Sequence, residues 1–217
     1  GRGRFASLIG ASTMDLNAEM NDFAPGNYLT YGVFDPVSSI DDWFHADLTF
    51  IWFSNPAYTR IPHQHYITEA RYRCGQSVVV APDFNPSAAR ADYYVPVKPG
   101  GDAAFALGMS QVVIEEKLYN EAFIKDQTDL PLLVRLDTRT YLRANEMQDG
   151  GRDDQFYWFD AKKNAVVEAP RGTLALGKID PALEGTFTAK LKDGKSVKVT
   201  TVFELVKERL KGYTPEK

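Results

Sequence analysis

Apolar and polar residues follow one another in the first half of the chain in blocks that predict strands and helices in turn. Residues 47–53 form an aromatic and β-branched run without polar alternation after Thr49, which predicts a strand buried on both faces of a parallel sheet. The run at 77–81 predicts a second buried strand. A third strand is predicted over 93–97, near an edge because Pro96 cannot donate to a strand ladder.

The segments between these runs predict helices. A short helix over 38–45 begins with serine and has acidic residues in its first turn, which suits the positive end of the helix dipole. A longer helix is predicted over 62–74, and we expect Gly75 to end it in the left-handed conformation. Residues 87–90 predict a short helix, and 102–117 a long one. Strands that alternate with helices through short links predict an α/β fold, an open, doubly wound, mostly parallel sheet with helices on both faces.

The pattern changes after about residue 136, where the regular alternation is lost. The Asp-Gly pair at 193–194 is a strong hairpin signal, and apolar residues at helical spacing predict a closing helix over 202–211. The other elements predicted here are a helix over 139–147, a hairpin pairing 156–159 with 166–167, and a hairpin pairing 186–191 with 196–201. We therefore expect an α/β domain over residues 1–138 and a hairpin-rich α+β extension with a terminal helix over 139–217.

The composition excludes several classes of protein. The chain has 217 residues, 44% hydrophobic and 25% charged, a globular balance that excludes disorder. Its 25 Lys and Arg against 29 Asp and Glu leave a net charge of −4, which argues against a nucleic-acid partner. No apolar run approaches the ~20 residues that span a bilayer, so no transmembrane segment is predicted. Cys74, the single cysteine, cannot by itself form a disulfide, a four-thiolate zinc site or an iron–sulfur site.

Polar residues follow each of the three predicted parallel strands, and open α/β sheets bind ligands beyond the carboxyl ends of their strands. The loop 54–60 offers main-chain N–H groups, side-chain hydroxyls, one side-chain amide and one guanidinium, which suit a phosphorylated ligand. The alternative is an ordinary turn with a surface arginine. Asp83 and Asn85 stand where such folds discriminate the nucleoside end of a dinucleotide, and they are also ordinary turn residues. Gly100 allows close backbone approach, and Asp102 can accept hydrogen bonds from a guanine or cap the following helix.

Other candidate chemistry finds less support. His63 and His65 are two residues apart, so on a helix their rings point about 200° apart and cannot clamp one metal ion from the same face. No nucleophile elbow, zinc-protease helix, Walker loop or dinucleotide glycine motif follows a predicted strand, and Ser54 has no histidine placed to activate it. Asp22 lies in a long non-periodic connection over 14–30 that a compact domain does not keep without reason.

Taken together, these segments resemble the dimethyl sulfoxide reductase superfamily, whose members carry a molybdenum bis(molybdopterin guanine dinucleotide) cofactor. The segments that carry the resemblance, in order and spacing, are 46–48, 54–62, 81–84, 91–92 and 99–104. The resemblance covers about residues 5–136, and 156–215 is similar with less specific motifs. The branch it resembles contains the catalytic subunits of respiratory nitrate reductase, selenate and chlorate reductase, and ethylbenzene dehydrogenase. Those subunits are several times longer, so the resemblance implies that this chain is an internal fragment of one.

The resemblance also implies roles for individual residues. Ser54, Asn55, Pro56, Thr59 and Arg60 match the loop that embraces one guanine dinucleotide, Asp83 and Asn85 match its nucleoside end, and Gly100 with Asp102 match the guanine-reading turn. Asp22 falls where that branch places the aspartate that ligates molybdenum, so it is the expected catalytic and metal-binding residue. Two positions depart from the pattern: Gly101 replaces a usual threonine, and His63 stands where nitrate reductases tend to be acidic, so nitrate need not be the substrate.

The implied function is oxygen-atom transfer or hydroxylation at molybdenum in anaerobic respiration, with electrons passed through iron–sulfur centres outside this chain. The expected partners are the remainder of the catalytic subunit, an iron–sulfur electron-transfer subunit, a haem subunit as a further candidate, and a small-molecule substrate. We expect the isolated chain to be inactive, because a dinucleotide clamped by several domains loses most of its contacts when one is isolated. The alternative is a non-catalytic nucleotide-binding or partner-docking α/β module. The residues leave the compartment open, and the resemblance points to the prokaryotic periplasm or a membrane-associated complex.

Overall fold

The structure, a computed structural model, describes residues 2–11, 25–33, 38–172 and 174–214. It is a mixed α/β fold with a small parallel sheet, helices and antiparallel hairpins. Its contacts divide the chain into two compact units, residues 1–98 and 99–217. Within the described ranges, none of the helices has the length and apolar character needed to cross a membrane.

The first unit is built on three parallel strands. These are β1 (Leu48–Trp52), β2 (Gln76–Ala81) and β3 (Tyr93–Pro96), which pair in that order. The described helices are α1 (Arg2–Leu8), α2 (Pro25–Tyr31), α3 (Pro56–Thr59) and α4 (Ile61–Tyr72), with 3-10 helices at Ile40–His45 and Ala88–Arg90. The three predicted strands, the long helix after β1 and both predicted short helices are confirmed.

The core of this unit lies between the sheet and α4. Ile51, Val79 and Tyr94 stand in register across the three strands. Ile51 and Val79 form a buried apolar cluster with Ile67 of α4. Because β2 is central, its Val79 and Val80 are fully buried.

The opposite face of β1 is not buried, and the prediction of a strand buried on both faces is wrong. Leu48 and Phe50 are 49% and 44% exposed. The reason is that β1 is an edge strand of the described sheet, and α4 packs on the face that carries Ile51. The described chain therefore contains a small parallel sheet, and it supports the predicted doubly wound arrangement only loosely.

The end of α4 differs from the prediction in one residue. Cys74, and not Gly75, takes the left-handed conformation, with φ +73°. Gly75 is required for a different reason: a Cβ there would lie 2.6 Å from the carbonyl oxygen of Ala46 and 2.9 Å from that of Ala70. The glycine thus permits the close approach that leads the chain into β2.

The second unit combines helices with antiparallel strands. Its described helices are α5 (Asp102–Glu115), α6 (Glu121–Gln127), α7 (Ala144–Met147) and α8 (Val202–Leu210). Its described strands are β4 (Leu133–Arg135), β5 (Tyr157–Asp160), β6 (Ala165–Glu168), β7 (Thr186–Lys190) and β8 (Ser196–Thr201). The sheet has the order β4-β8-β7, and β5 pairs with β6, so both predicted hairpins and the closing helix are confirmed.

The helix predicted over 139–147 is wrong for its first half. Arg139 is in a left-handed turn with φ +59°, and Tyr141 bridges back to Val134 of β4, so only α7 is helical here. A strand before the turn, β4, was not predicted, and it gains its partner from β8, far along the chain. The compact units divide between residues 98 and 99, since α5 packs against α8. The domain boundary predicted between 138 and 139 stays a prediction.

Candidate functional site

The loop after β1 leaves the sheet abruptly. The main-chain N–H of Phe53 still donates to the carbonyl of Val80 at 2.9 Å, and Phe53 itself has φ +46°. The turn directs the chain into α3, which begins at Pro56, a favoured residue for a first helical position because its missing N–H costs nothing there. Ser54 and Asn55 therefore lie at the carboxyl end of the strand, as predicted.

The loops that follow β1 and β2 are joined by a residue that sequence reasoning missed, Ser87. Its hydroxyl donates to Oδ1 of Asn55 at 2.8 Å and accepts from the main-chain N–H of Ala57 at 3.1 Å. Oδ1 of Asn85 in turn accepts from the main-chain N–H groups of Ser87 at 3.0 Å and Ala88 at 3.1 Å. Asn55 and Asn85, both predicted cofactor residues, thus have their side-chain oxygens engaged in holding the two loops together. A signal was available, since a serine directly after Asn-Pro is ordinary turn chemistry at a strand end.

The main-chain amides of this region are mostly occupied. Ala57 donates to Ser87, Tyr58 and Thr59 donate to the carbonyl of Asn55, and Arg60 donates to that of Pro56. The main-chain N–H groups of Ser54 and Asn55 have no acceptor among the described residues. Most of the main-chain N–H groups of the loop therefore already have acceptors within the fold. Most of the donors left for a ligand are side chains.

A groove of about 940 Å³ lies beside this loop and along β1. Ser54, Pro56 and Arg60, three of the predicted residues, line it. Its other lining residues include Trp43, Phe50, Trp52 and His63. The volume falls in the range of small-molecule sites. Thr59 does not line the groove, and its hydroxyl donates to the carbonyl of Asn55 at 3.0 Å.

The remaining predicted residues lie elsewhere. Asp83 is exposed in the turn after β2, at the same edge of the sheet as the loop 54–60. Gly100, with φ +83°, and Asp102 belong to the second unit. Gly101 occupies the N-cap of α5, so Asp102 is its first helical residue and not its cap. Asp22, the predicted metal ligand, lies outside the described residues.

The two histidines of α4 diverge as predicted. The ring of His63 meets the ring of Trp43 edge-on, with centroids 5.9 Å apart, and lines the groove. His65 is exposed, and its Nε2 lies 3.7 Å from Glu69. Across the described ranges, no group of three or more His, Cys, Asp or Glu side chains is arranged to hold a metal ion.

Asp92, from one of the resembling segments, has a structural role at the other end of the sheet. Arg71 of α4 donates to both of its carboxylate oxygens, at 3.0 and 2.8 Å, and the main-chain N–H of Ser77 donates at 2.8 Å. The Arg71 hydrogen bonds, followed by that of Ser77, lower the pKa of Asp92. This pair fixes α4 against the starts of β2 and β3.

The chain is similar in sequence to one protein family and to individual proteins. The profile of the family described as molybdopterin oxidoreductase matches residues 3–197. The alpha subunit of dimethylsulfide dehydrogenase from Rhodovulum sulfidophilum is 42% identical over an alignment of 219 positions, which covers 98% of this chain and 24% of the relative. The alpha subunit of perchlorate reductase from Dechloromonas aromatica is 39% identical over an alignment of 240 positions, 99% of this chain and 26% of the relative. The alpha subunit of chlorate reductase from Ideonella dechloratans is 40% identical over an alignment of 219 positions, which covers 98% of this chain and 23% of the relative.

The chain thus spans about a quarter of the length of the curated relatives it matches. The family profile covers far more than half of it, from before the first sheet to the final hairpin. The resemblance to the dimethyl sulfoxide reductase superfamily is confirmed, and the chain belongs to the molybdopterin oxidoreductase family.

Proposed function

We propose that this chain is part of the catalytic subunit of a molybdenum oxidoreductase, and that the groove beside β1 receives part of a molybdopterin guanine dinucleotide. The observation that carries the proposal is the position of Ser54 and Arg60 in one groove at the carboxyl end of a parallel strand. Family membership and the share of each relative that this chain covers support it. The chemistry would be oxygen-atom transfer or hydroxylation of a small molecule.

The donor set of the groove fits the anionic centre of such a dinucleotide. The Arg60 guanidinium can make charge-assisted hydrogen bonds to phosphate oxygens, which are roughly twice as strong as neutral ones. The Ser54 hydroxyl and the unengaged N–H groups of Ser54 and Asn55 supply further donors. Among the described residues no Asp or Glu lines the groove, so none of them repels a phosphate there.

The chain's own residues bind and orient the dinucleotide. The Ser87 bridge holds the loop 54–60 in position, and Trp52, the last residue of β1, forms an apolar wall that limits water. When bound, the cofactor supplies a molybdenum centre that exchanges two electrons with the substrate. We extend the proposal to Asp22 as a molybdenum ligand, since a carboxylate oxygen is a reasonable donor to this metal, and to Asp83, Gly100 and Asp102 as contacts to the nucleoside.

The proposed subunit completes the doubly wound sheet. Proteins protect an exposed edge strand with proline or charged residues. Residues 48–52 of β1 contain neither. Leu48 and Phe50 leave one face of that strand open. A further strand beside β1 and helices over this face would bury both, as parallel sheets require, and would leave to the dinucleotide the part of the groove beyond the end of β1, at Ser54, Pro56 and Arg60.

The relatives are named as alpha subunits, and we propose that this chain likewise works with other polypeptides. An iron–sulfur electron-transfer subunit is the main candidate and a haem subunit a second one. A location in the prokaryotic periplasm or in a membrane-associated complex is part of the same proposal.

The test uses the full-length subunit that contains this chain, expressed in a host that makes the cofactor. Molybdenum is measured by mass spectrometry, and guanine nucleotide is measured as GMP released by acid, both per polypeptide. We expect both in the wild type and a clear loss of GMP in Arg60→Ala, with Arg73→Ala, an exposed arginine at the far end of α4, as the matched control. Absence of molybdenum and GMP from the wild type would contradict the proposal.

Asp22→Ala separates catalysis from mere binding. We expect this variant to keep its GMP and to show an altered metal environment in X-ray absorption. An unchanged spectrum with unchanged activity would favour the non-catalytic α/β module.

A further inference from the structure

A further side chain in the groove, that of His63, has no part in the function described so far. It lies in the first turn of α4, three residues after Arg60, and its main-chain N–H donates to the carbonyl of Arg60 at 2.8 Å. Arg60 is the N-cap residue of α4, directly before the helix. Both side chains line the groove together with Ser54.

The imidazole of His63 is held in a defined orientation. Its ring meets that of Trp43 at 5.9 Å with an interplanar angle of 80°, and it is half-buried. Within the described parts of the chain, neither ring nitrogen has a hydrogen-bond partner, so an N–H is available to a ligand.

The start of α4 offers an anion few main-chain donors. The N–H groups of His63 and Gln64 both donate to the carbonyl of Arg60, and Pro62 has none. Only Ile61 keeps an N–H without an acceptor among the described residues, so side chains supply most of the donors that an anion meets here. His63 adds to the set formed by Ser54 and Arg60.

We propose that His63 is a cofactor-binding residue that donates an imidazole N–H to the same phosphate group that Arg60 binds. The inference rests on the proposed function, since it names a further contact in that groove. It also gives a meaning to the departure noted in the sequence: an imidazole can donate a hydrogen bond at this position, which an ionised carboxylate cannot.

The experiment uses the full-length subunit prepared without cofactor, with GDP as the probe. Trp43 and Trp52 both line the groove, so quenching of tryptophan fluorescence reports its occupation. We expect His63→Ala to weaken GDP binding roughly tenfold, the scale of one lost hydrogen bond to a charged group, and His63→Asp to weaken it at least as much. His63→Gln keeps an N–H donor and should recover most of the affinity.

His65→Ala is the matched control, because His65 lies two residues further along the same helix and outside the groove. We expect its affinity to stay within twofold of the wild type. A second readout is the GMP that the cofactor-loaded subunit retains after dialysis, which should fall in His63→Ala and not in His65→Ala.

The failures of the two proposals are distinguishable. A wild-type subunit that neither retains GMP nor binds GDP overturns the proposed function and this inference together. Wild-type affinity in His63→Ala, alongside a loss in Arg60→Ala, overturns this inference alone. Should His63→Ala fail to fold, His63→Gln and His63→Asp decide: equal affinity in these two variants would contradict a donor role for His63.

Discussion

The two units of the chain differ in how far their large apolar side chains are buried. In the second unit, Leu133, Leu142 and Val199 are completely buried in a core closed by hairpins and helices. In the first unit, Leu48, Phe50 and many other large apolar side chains remain exposed. The second unit leaves fewer large apolar side chains exposed among its described residues, namely Val113, Leu118, Phe123 and Leu174. The first presents apolar surface next to the groove, as expected if it receives a ligand and further polypeptide as proposed.

The largest expected effect separates the two kinds of apolar residue directly. Phe203→Ala removes a ring that is 1% exposed and packs against Tyr119 in the second unit, so it should lower the free energy of unfolding by about 3–5 kcal/mol. Phe50→Ala removes a ring that is 44% exposed and should cost under about 1 kcal/mol. Urea unfolding of the 217-residue chain measures both.

The same pair sharpens the comparison in the full-length subunit. If further polypeptide covers β1, Phe50→Ala should cost more there than in the shorter chain, measured as a fall in melting temperature. An equal and small effect in both settings would mean that this face stays open.

A smaller effect is expected where the first unit does have buried polar contacts. Ser87→Ala leaves Oδ1 of Asn55 and the N–H of Ala57 without their partner, which should cost about 1–3 kcal/mol in urea unfolding. The control is Ser110→Ala, because this exposed hydroxyl only donates to Ala106 within α5. A loss no larger for Ser87 than for Ser110 would show that the loops do not depend on this bridge.

The end of α4 offers a stabilising change. Cys74→Gly relieves a non-glycine residue of φ +73° at an exposed position, and we expect a gain of about 0.5–1 kcal/mol in thermal unfolding. Arg73→Gly, one residue earlier at φ −98°, should instead destabilise by a similar amount. A loss of stability in Cys74→Gly would contradict the strained backbone.

The smallest effect concerns pH. Arg71 and Ser77 lower the pKa of Asp92 in the folded chain, so the ionised carboxylate stabilises the fold above its unfolded pKa near 3.9. That stabilisation is lost as the pH falls through the lowered folded pKa. The melting-temperature difference between wild type and Asp92→Asn should therefore shrink in acid, and a difference that is constant from about pH 6 to pH 3 would contradict the role of the pair.

Local patterns predicted the elements whose partners are close in sequence. The hairpin around Gly194 and the helix α8 needed only turn chemistry and helical spacing. The strand β4 was not predicted because it is three residues long and its partner β8 lies more than sixty residues away along the chain. The predicted burial of β1 failed because one strand's composition does not say which faces its neighbours cover.

The candidate site divides in the same way. The sequence by itself determined which loops follow the strands, which donors they carry and which family they resemble. Only the tertiary structure decided that Asn55 and Asn85 meet at Ser87, and that Ser54, Arg60 and His63 share one groove. The physical reason is that a donor or acceptor engaged in a hydrogen bond within the fold is no longer free for a ligand, and which groups are engaged depends on side chains that sequence separates and folding brings together.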